Sequence, residues 1–111
     1  MKGMIRHEDQ AEADRKGPFP ARILLSKADA STISIKVGTL PVDQEIPVHF
    51  HENNDQVEYY IEGKAVLYLE GMGEKEIGKG SFMYAPKGVK HGIKNVKEPL
   101  KIYAVFLPAL F

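Results

Sequence analysis

The chain contains no cysteine, which excludes a disulfide framework, a thiol nucleophile and any zinc site built on thiolates. It carries no net charge, with 15 Lys+Arg against 15 Asp+Glu, and no run of Lys or Arg exceeds two residues. Nucleic-acid binders usually show a basic excess, so no such partner is expected. Long apolar runs are also missing. The most apolar stretch, Leu100 to Phe111, is too short to span a bilayer and is broken by Lys101 and Pro108. The opening residues, Met1 to Asp9, lack the apolar segment of a secretory signal. These absences together lead us to expect a cytoplasmic protein with neither membrane nor nucleic acid as partner.

What is present is ordinary globular composition. The 111 residues are 43% hydrophobic, enough for one core in one domain. Residues 7–16, HEDQAEADRK, are polar and rich in helix formers; they predict a frayed arm or one short surface helix, with residues 1–18 forming an N-terminal arm. Gly17-Pro18 and Pro20 then punctuate the chain. From there the pattern is that of strands. Residues 31–37, STISIKV, alternate strictly, placing Ile33, Ile35 and Val37 on one face and Thr32, Ser34 and Lys36 on the other. Further runs are expected at 21–26, 46–51, 56–62, 65–70, 81–85, 91–96 and 100–107. Turn residues separate them, among them Gly71-Met72-Gly73 and Gly78-Lys79-Gly80. Many short strands without a long helical pattern predict an all-β sandwich or barrel over residues 19–111.

The last strand is apolar on both faces, with Leu100, Ile102, Ala104 and Phe106 on one side and Tyr103, Val105 and Leu107 on the other. Such a strand is covered on both faces. In so small a protein a second copy of the chain is the expected second cover, so a homodimer is predicted.

Chemistry concentrates on the histidines. His49 and His51 lie two apart in an expected strand, so they share a face with Cα atoms roughly 6.5–7 Å apart. Two imidazoles so placed can converge on one metal ion; alone, they are as readily two unrelated histidines. Gln56 and Gly63 follow at fixed intervals, and a second group comprises Gly80, Pro86, Gly88, His91 and Asn95. Here the chain resembles the cupin superfamily. Residues 49–63, HFHENNDQVEYYIEG, fit its first motif, G-x5-HxH-x3,4-E-x6-G, with Gln56 in place of the Glu and Asp43 in place of the first Gly. Residues 80–95 match every fixed position of its second motif, G-x5-PxG-x2-H-x3-N.

The resemblance implies a double-stranded β-helix, or jelly-roll barrel, holding a divalent metal (iron, manganese, zinc or nickel) on His49, His51, Gln56 and His91. Gly80, Pro86 and Gly88 are read as frame, Asn95 as support for the neighbouring turn, and His7 as outside the site. The neutral amide of Gln56 leaves the centre a charge of about +2 where a Glu would leave about +1, favouring Lewis acidity over an oxidised metal. If Gln56 points inward, so do Glu58 and Tyr60 by the strand period. Both are candidate catalytic residues. Glu58 is a general base, substrate anchor or alternative ligand unless barrel curvature carries it to solvent, and Tyr60 is wall or acid. Phe50 faces the other way, as core or interface packing. The expected function is that of a small metal-dependent enzyme, a dioxygenase or an isomerase/lyase, acting on a small oxygenated molecule. The alternative is a non-catalytic barrel that binds a small or sugar-like ligand.

Overall fold

A computed structural model describes residues 2–111. It comprises a 3-10 turn, Glu8–Gln10, and eight strands among the described residues: β1 Glu12–Asp14, β2 Ala21–Leu25, β3 Ser34–Leu40, β4 Ile46–His49, β5 Asp55–Leu69, β6 Gly73–Gly78, β7 Phe82–Ala85 and β8 His91–Leu107. All pairings are antiparallel. No helix among these residues is long and apolar enough to cross a membrane.

Two long strands organise the molecule. Residues 56–62 and 65–70, expected as two strands, are one bent strand, and so are 91–96 and 100–107. The first half of β5 pairs with β7 and with the second half of β8, which pairs onward to β3, β2 and β1. The second half of β5 pairs with β6 and with the first half of β8, which carries β4. Each long strand thus passes from one sheet to the other, and the two sheets close over a shared core. This is the expected all-β jelly roll.

The bend has a visible cause. The β5–β8 register shifts three times between Tyr60 and Val66. Gly63 sits there at φ 107°, and a Cβ at that position would lie 2.3 Å from the Pro99 carbonyl oxygen. Only glycine tolerates both conditions. Further along the other long strand, Asn95 also takes a left-handed conformation, with φ 52°.

The core is lined by Leu100, Ile102, Ala104 and Phe106 from β8 with Tyr60, Leu67, Met83 and Ile93. β6 escaped the sequence reading because only Ile77 in it is buried; an edge strand with one inward apolar residue has little periodic signature.

Two expectations need correction. The expected arm, residues 1–18, is docked over its described part, 2–18, and Met1 lies outside the described residues: β1 pairs with β2, Ala11 is buried, and Arg6 donates to the Leu24 carbonyl at 2.7 Å. Helix-forming composition yields here to edge pairing, leaving only one 3-10 turn capped by His7 Nδ1, which accepts from the Asp9 amide. In β3 the apolar set does not face the interior. Ser34 and Lys36 point inward, opposite Phe106 and Ala104, while Ile35 and Val37 take the outer face opposite Val105 and Tyr103. The inward polar groups have partners, since Ser34 Oγ accepts from the Leu110 amide and Lys36 pairs with Asp14.

Candidate metal centre

β4 and β8 bring two of the three histidines together directly, because His49 and His91 are register partners. His49 lies three positions along the chain from Ile46, but their partners Ile93 and His91 are only two positions apart. This bulge lets Ile46 and His49 both face the interior, which an unbroken two-residue period forbids. The strand ends at His49, two residues earlier than expected, yet His51 still turns to the same side. Phe50 is half exposed, so it packs in no core.

The ring centroids of His49 and His51 are 5.1 Å apart, those of His49 and His91 4.4 Å, and those of His51 and His91 5.9 Å. One ring nitrogen from each lies within 4.8 Å of the others. Two rings are already oriented. His49 Nδ1 lies 2.8 Å from the Pro47 carbonyl and His91 Nδ1 lies 3.0 Å from that of Val89. Each Nδ1–H donates to its carbonyl, which directs the Nε2 lone pair away from the backbone, as metal-binding histidines require.

Gln56 completes the group. Its Nε2 donates to Glu58 Oε2 at 2.8 Å, turning its Oε1 to 2.9 Å from His91 Nε2. Burial, reinforced by the neighbouring charges of His49 and His51, pushes the His91 pKa down to about 4 against the hydrogen bond to Val89. A neutral His91 protonated on Nδ1 therefore presents a lone pair on Nε2 to the lone pairs of an amide oxygen. A cation shared between the two atoms satisfies both, and so the donor set fits a metal ion. Burial and the His49 charge also lower the pKa of His51.

Glu58 is buried and does not reach solvent at the barrel mouth. Tyr60 donates its hydroxyl to Glu58 Oε1 at 2.7 Å. Burial raises the Glu58 pKa, opposed by these hydrogen bonds and by the charges of His49 and Lys36. Burial and the adjoining carboxylate also push the Tyr60 hydroxyl up. His49, His51, Gln56 and Glu58 line a cavity of about 620 Å³. Tyr60 is fully buried behind Glu58 and is not among the lining residues. His7 lies far along the chain on the 3-10 turn and is exposed.

The family model of the cupin domain matches residues 36–106. The chain belongs to the cupin family. It is 35% identical over 65 residues to an uncharacterised protein of Aquifex aeolicus, a match covering 59% of this chain and 52% of that one. The cupin thus spans about half the length of this curated relative. Among solved structures, it is similar to the ectoine synthase of P. lautus, with a TM-score of 0.85 at 19% identity, covering 97% of this chain and 80% of that one. It is likewise similar to an RmlC-like cupin of Shewanella frigidimarina, with a TM-score of 0.82 at 22% identity, covering 98% and 94%. At these identities the structural likeness shows the barrel alone.

Sequence reasoning missed the far wall of this cupin's cavity. Asp14, Phe19, Lys36, Leu110 and Phe111 also line it, so both ends of the chain help to close the barrel. Lys36 could have been found by extending the strand to Leu40, whose inward side chain has the same parity.

Proposed function

We propose that the protein is a metal-dependent enzyme that moves a proton on a small oxygenated molecule, in the manner of an isomerase or lyase. The observation that carries this reading is Glu58: a buried carboxyl, held by Gln56 and Tyr60, on the wall of the cavity that His49 and His51 also line. A divalent ion on His49, His51 and His91, with Gln56 beside them, supplies a Lewis acid that polarises a carbonyl or hydroxyl oxygen. All four protein donors are neutral, which favours that role over stabilising an oxidised metal. Glu58 takes or returns the proton at its carboxyl oxygens, and burial, which raises its pKa, makes it a stronger base than a solvated carboxylate. Tyr60 is a positioning residue, fixing the carboxyl from behind through its hydroxyl. Ile46, Ile93 and Phe106 give the cavity apolar walls that limit water.

The test joins metal analysis with exchange and oxygen measurements. Protein purified without added metal is expected to hold about one first-row divalent ion per chain. Hydroxy acids, diketones and catechols are then screened for deuterium uptake at the carbon next to the oxygenated one. Exchange without oxygen consumption, lost by about a hundredfold or more in Glu58→Gln, is the expected result. Oxygen uptake would favour a dioxygenase. Metal binding with neither activity would leave a ligand-binding barrel.

The same reading includes a homodimer. Two rows of apolar side chains run across the outer face of the larger sheet: Phe82, Tyr59 and Tyr103, then Tyr84, Val57, Val105 and Ile35, while Val37 at the end of the first row is already buried within the chain. Phe82 is 65% exposed, and Tyr59 and Tyr84 are each 47% exposed. A contiguous patch of this kind supports burial against a second copy.

A further inference from the structure

We propose that Lys36 is an anion-binding and specificity-determining residue of the cavity, selecting substrates that carry a carboxylate besides the oxygen atoms offered to the metal. The inference deepens the reading of the histidine cluster as a metal site and rests on it. Lys36 lies inside the barrel on β3, with only 7% of its side chain exposed. It lines the same cavity as His49, His51, Gln56 and Glu58. Its Nζ lies 2.9 Å from Asp14 Oδ2, 5.0 Å over the ring of Phe19 and 5.5 Å from that of Phe111. Burying an ammonium among aromatic rings is costly, and a single ion pair offsets that cost poorly when apolar residues could fill the space. A working role accounts for the charge.

The balance of donors and acceptors sets the sign of the ligand. An ammonium has three N–H donors, and Asp14 Oδ2 is the one hydrogen-bond acceptor that Lys36 finds among the described residues. The carboxylates of the cavity are engaged. Asp14 Oδ1 accepts from the Lys16 and Gly17 amides at 3.0 and 3.1 Å, and Glu58 accepts from Gln56 and Tyr60. Asp14 and Lys36 cancel in charge, and the histidine cluster with Gln56 adds no negative charge to a bound cation. Glu58 is the one further carboxylate of the lining and both its oxygens are engaged, so the spare N–H donors of Lys36 lack an acceptor, which a ligand carboxylate supplies. The remaining walls, including Phe19, Phe106 and Phe111, are apolar and fit a short carbon skeleton between the two polar ends.

The experiment compares two probes that differ at one group. Malate and 2-hydroxybutyrate share a hydroxy acid, and the second replaces the distal carboxylate with methyl. Zinc stoichiometry and binding of both probes are measured by calorimetry for the wild type, Lys36→Met, Lys36→Arg and Asp14→Asn. The wild type is expected to bind malate at least tenfold more tightly than 2-hydroxybutyrate. Lys36→Met should reduce that preference below twofold with zinc stoichiometry unchanged, Lys36→Arg should keep part of it, and Asp14→Asn should keep or increase it. Equal affinities in the wild type, or a preference surviving in Lys36→Met, overturn the proposal. Loss of preference in Asp14→Asn equal to that in Lys36→Met also overturns it, because the pair would then serve only to hold the N-terminal segment. If Lys36→Met does not fold, the double variant Asp14→Asn/Lys36→Met, which removes both charges, takes its place. Should the wild type bind no zinc, the metal reading falls, and the same comparison on metal-free protein decides the role of Lys36.

Discussion

His91 decides much at the scale of single residues. Its pKa falls from an ordinary 6.5 to about 4 in the folded protein, chiefly through burial. The unfolded chain therefore takes up a proton on this ring at a higher pH than the folded chain does. The resulting stability is fully present above pH 6.5 and is lost as pH falls through about 4. Metal-free wild type and His91→Gln, compared by urea unfolding across that range, should differ by this slope; parallel profiles would refute the assignment. Gln56 is the second such residue. Gln56→Glu replaces a dipole with a full charge and is expected to tighten metal binding on the order of tenfold or more, read by chelator competition. Unchanged affinity would show that the side chain does not touch the ion. The three histidines and Gln56 were legible in the sequence because their spacing is fixed and their chemistry narrow. Lys36 was not, because alternation assigns polar residues of a half-buried strand to solvent, and only its partners Asp14 and the aromatic rings reverse that.

Glycines and bulges explain at the scale of elements why the strands were placed well and their continuity was not. A Gly in a strand run reads as a break, so Gly63 divided β5 in the sequence reading, whereas in the fold it bends one strand from sheet to sheet. Gly63→Ala meets the Pro99 carbonyl and a left-handed φ together. It should destabilise the protein by about 3 kcal/mol or more, measured by thermal or urea unfolding. A loss below 1 kcal/mol would mean that the bend does not depend on this residue. Asp43 carries the same lesson in the other direction. It stands where the cupin motif has glycine, and its φ of 64° shows the left-handed turn that glycine serves there. The N-terminal segment was illegible because edge pairing and a buried ion pair, neither of which leaves a local pattern, decide its form.

The molecule as a whole presents two surfaces that matter, one inside the barrel and one outside. The outer apolar face predicts a particle of twice the 12.4 kDa chain mass, measured by light scattering. Tyr59→Glu should return it to one chain with the circular dichroism spectrum unchanged, and a wild type that is monomeric at every concentration would refute the dimer. The inner surface holds the central claim, that three histidines from β4, the turn after it and β8 hold one cation. Anomalous diffraction from crystals of the protein loaded with cobalt tests it most directly. One strong peak bonded to Nε2 of His49 and His91 and to a ring nitrogen of His51, with Gln56 Oε1 facing it, is the predicted result. No peak at that position, or rings turned apart with the metal bound elsewhere, would contradict the account.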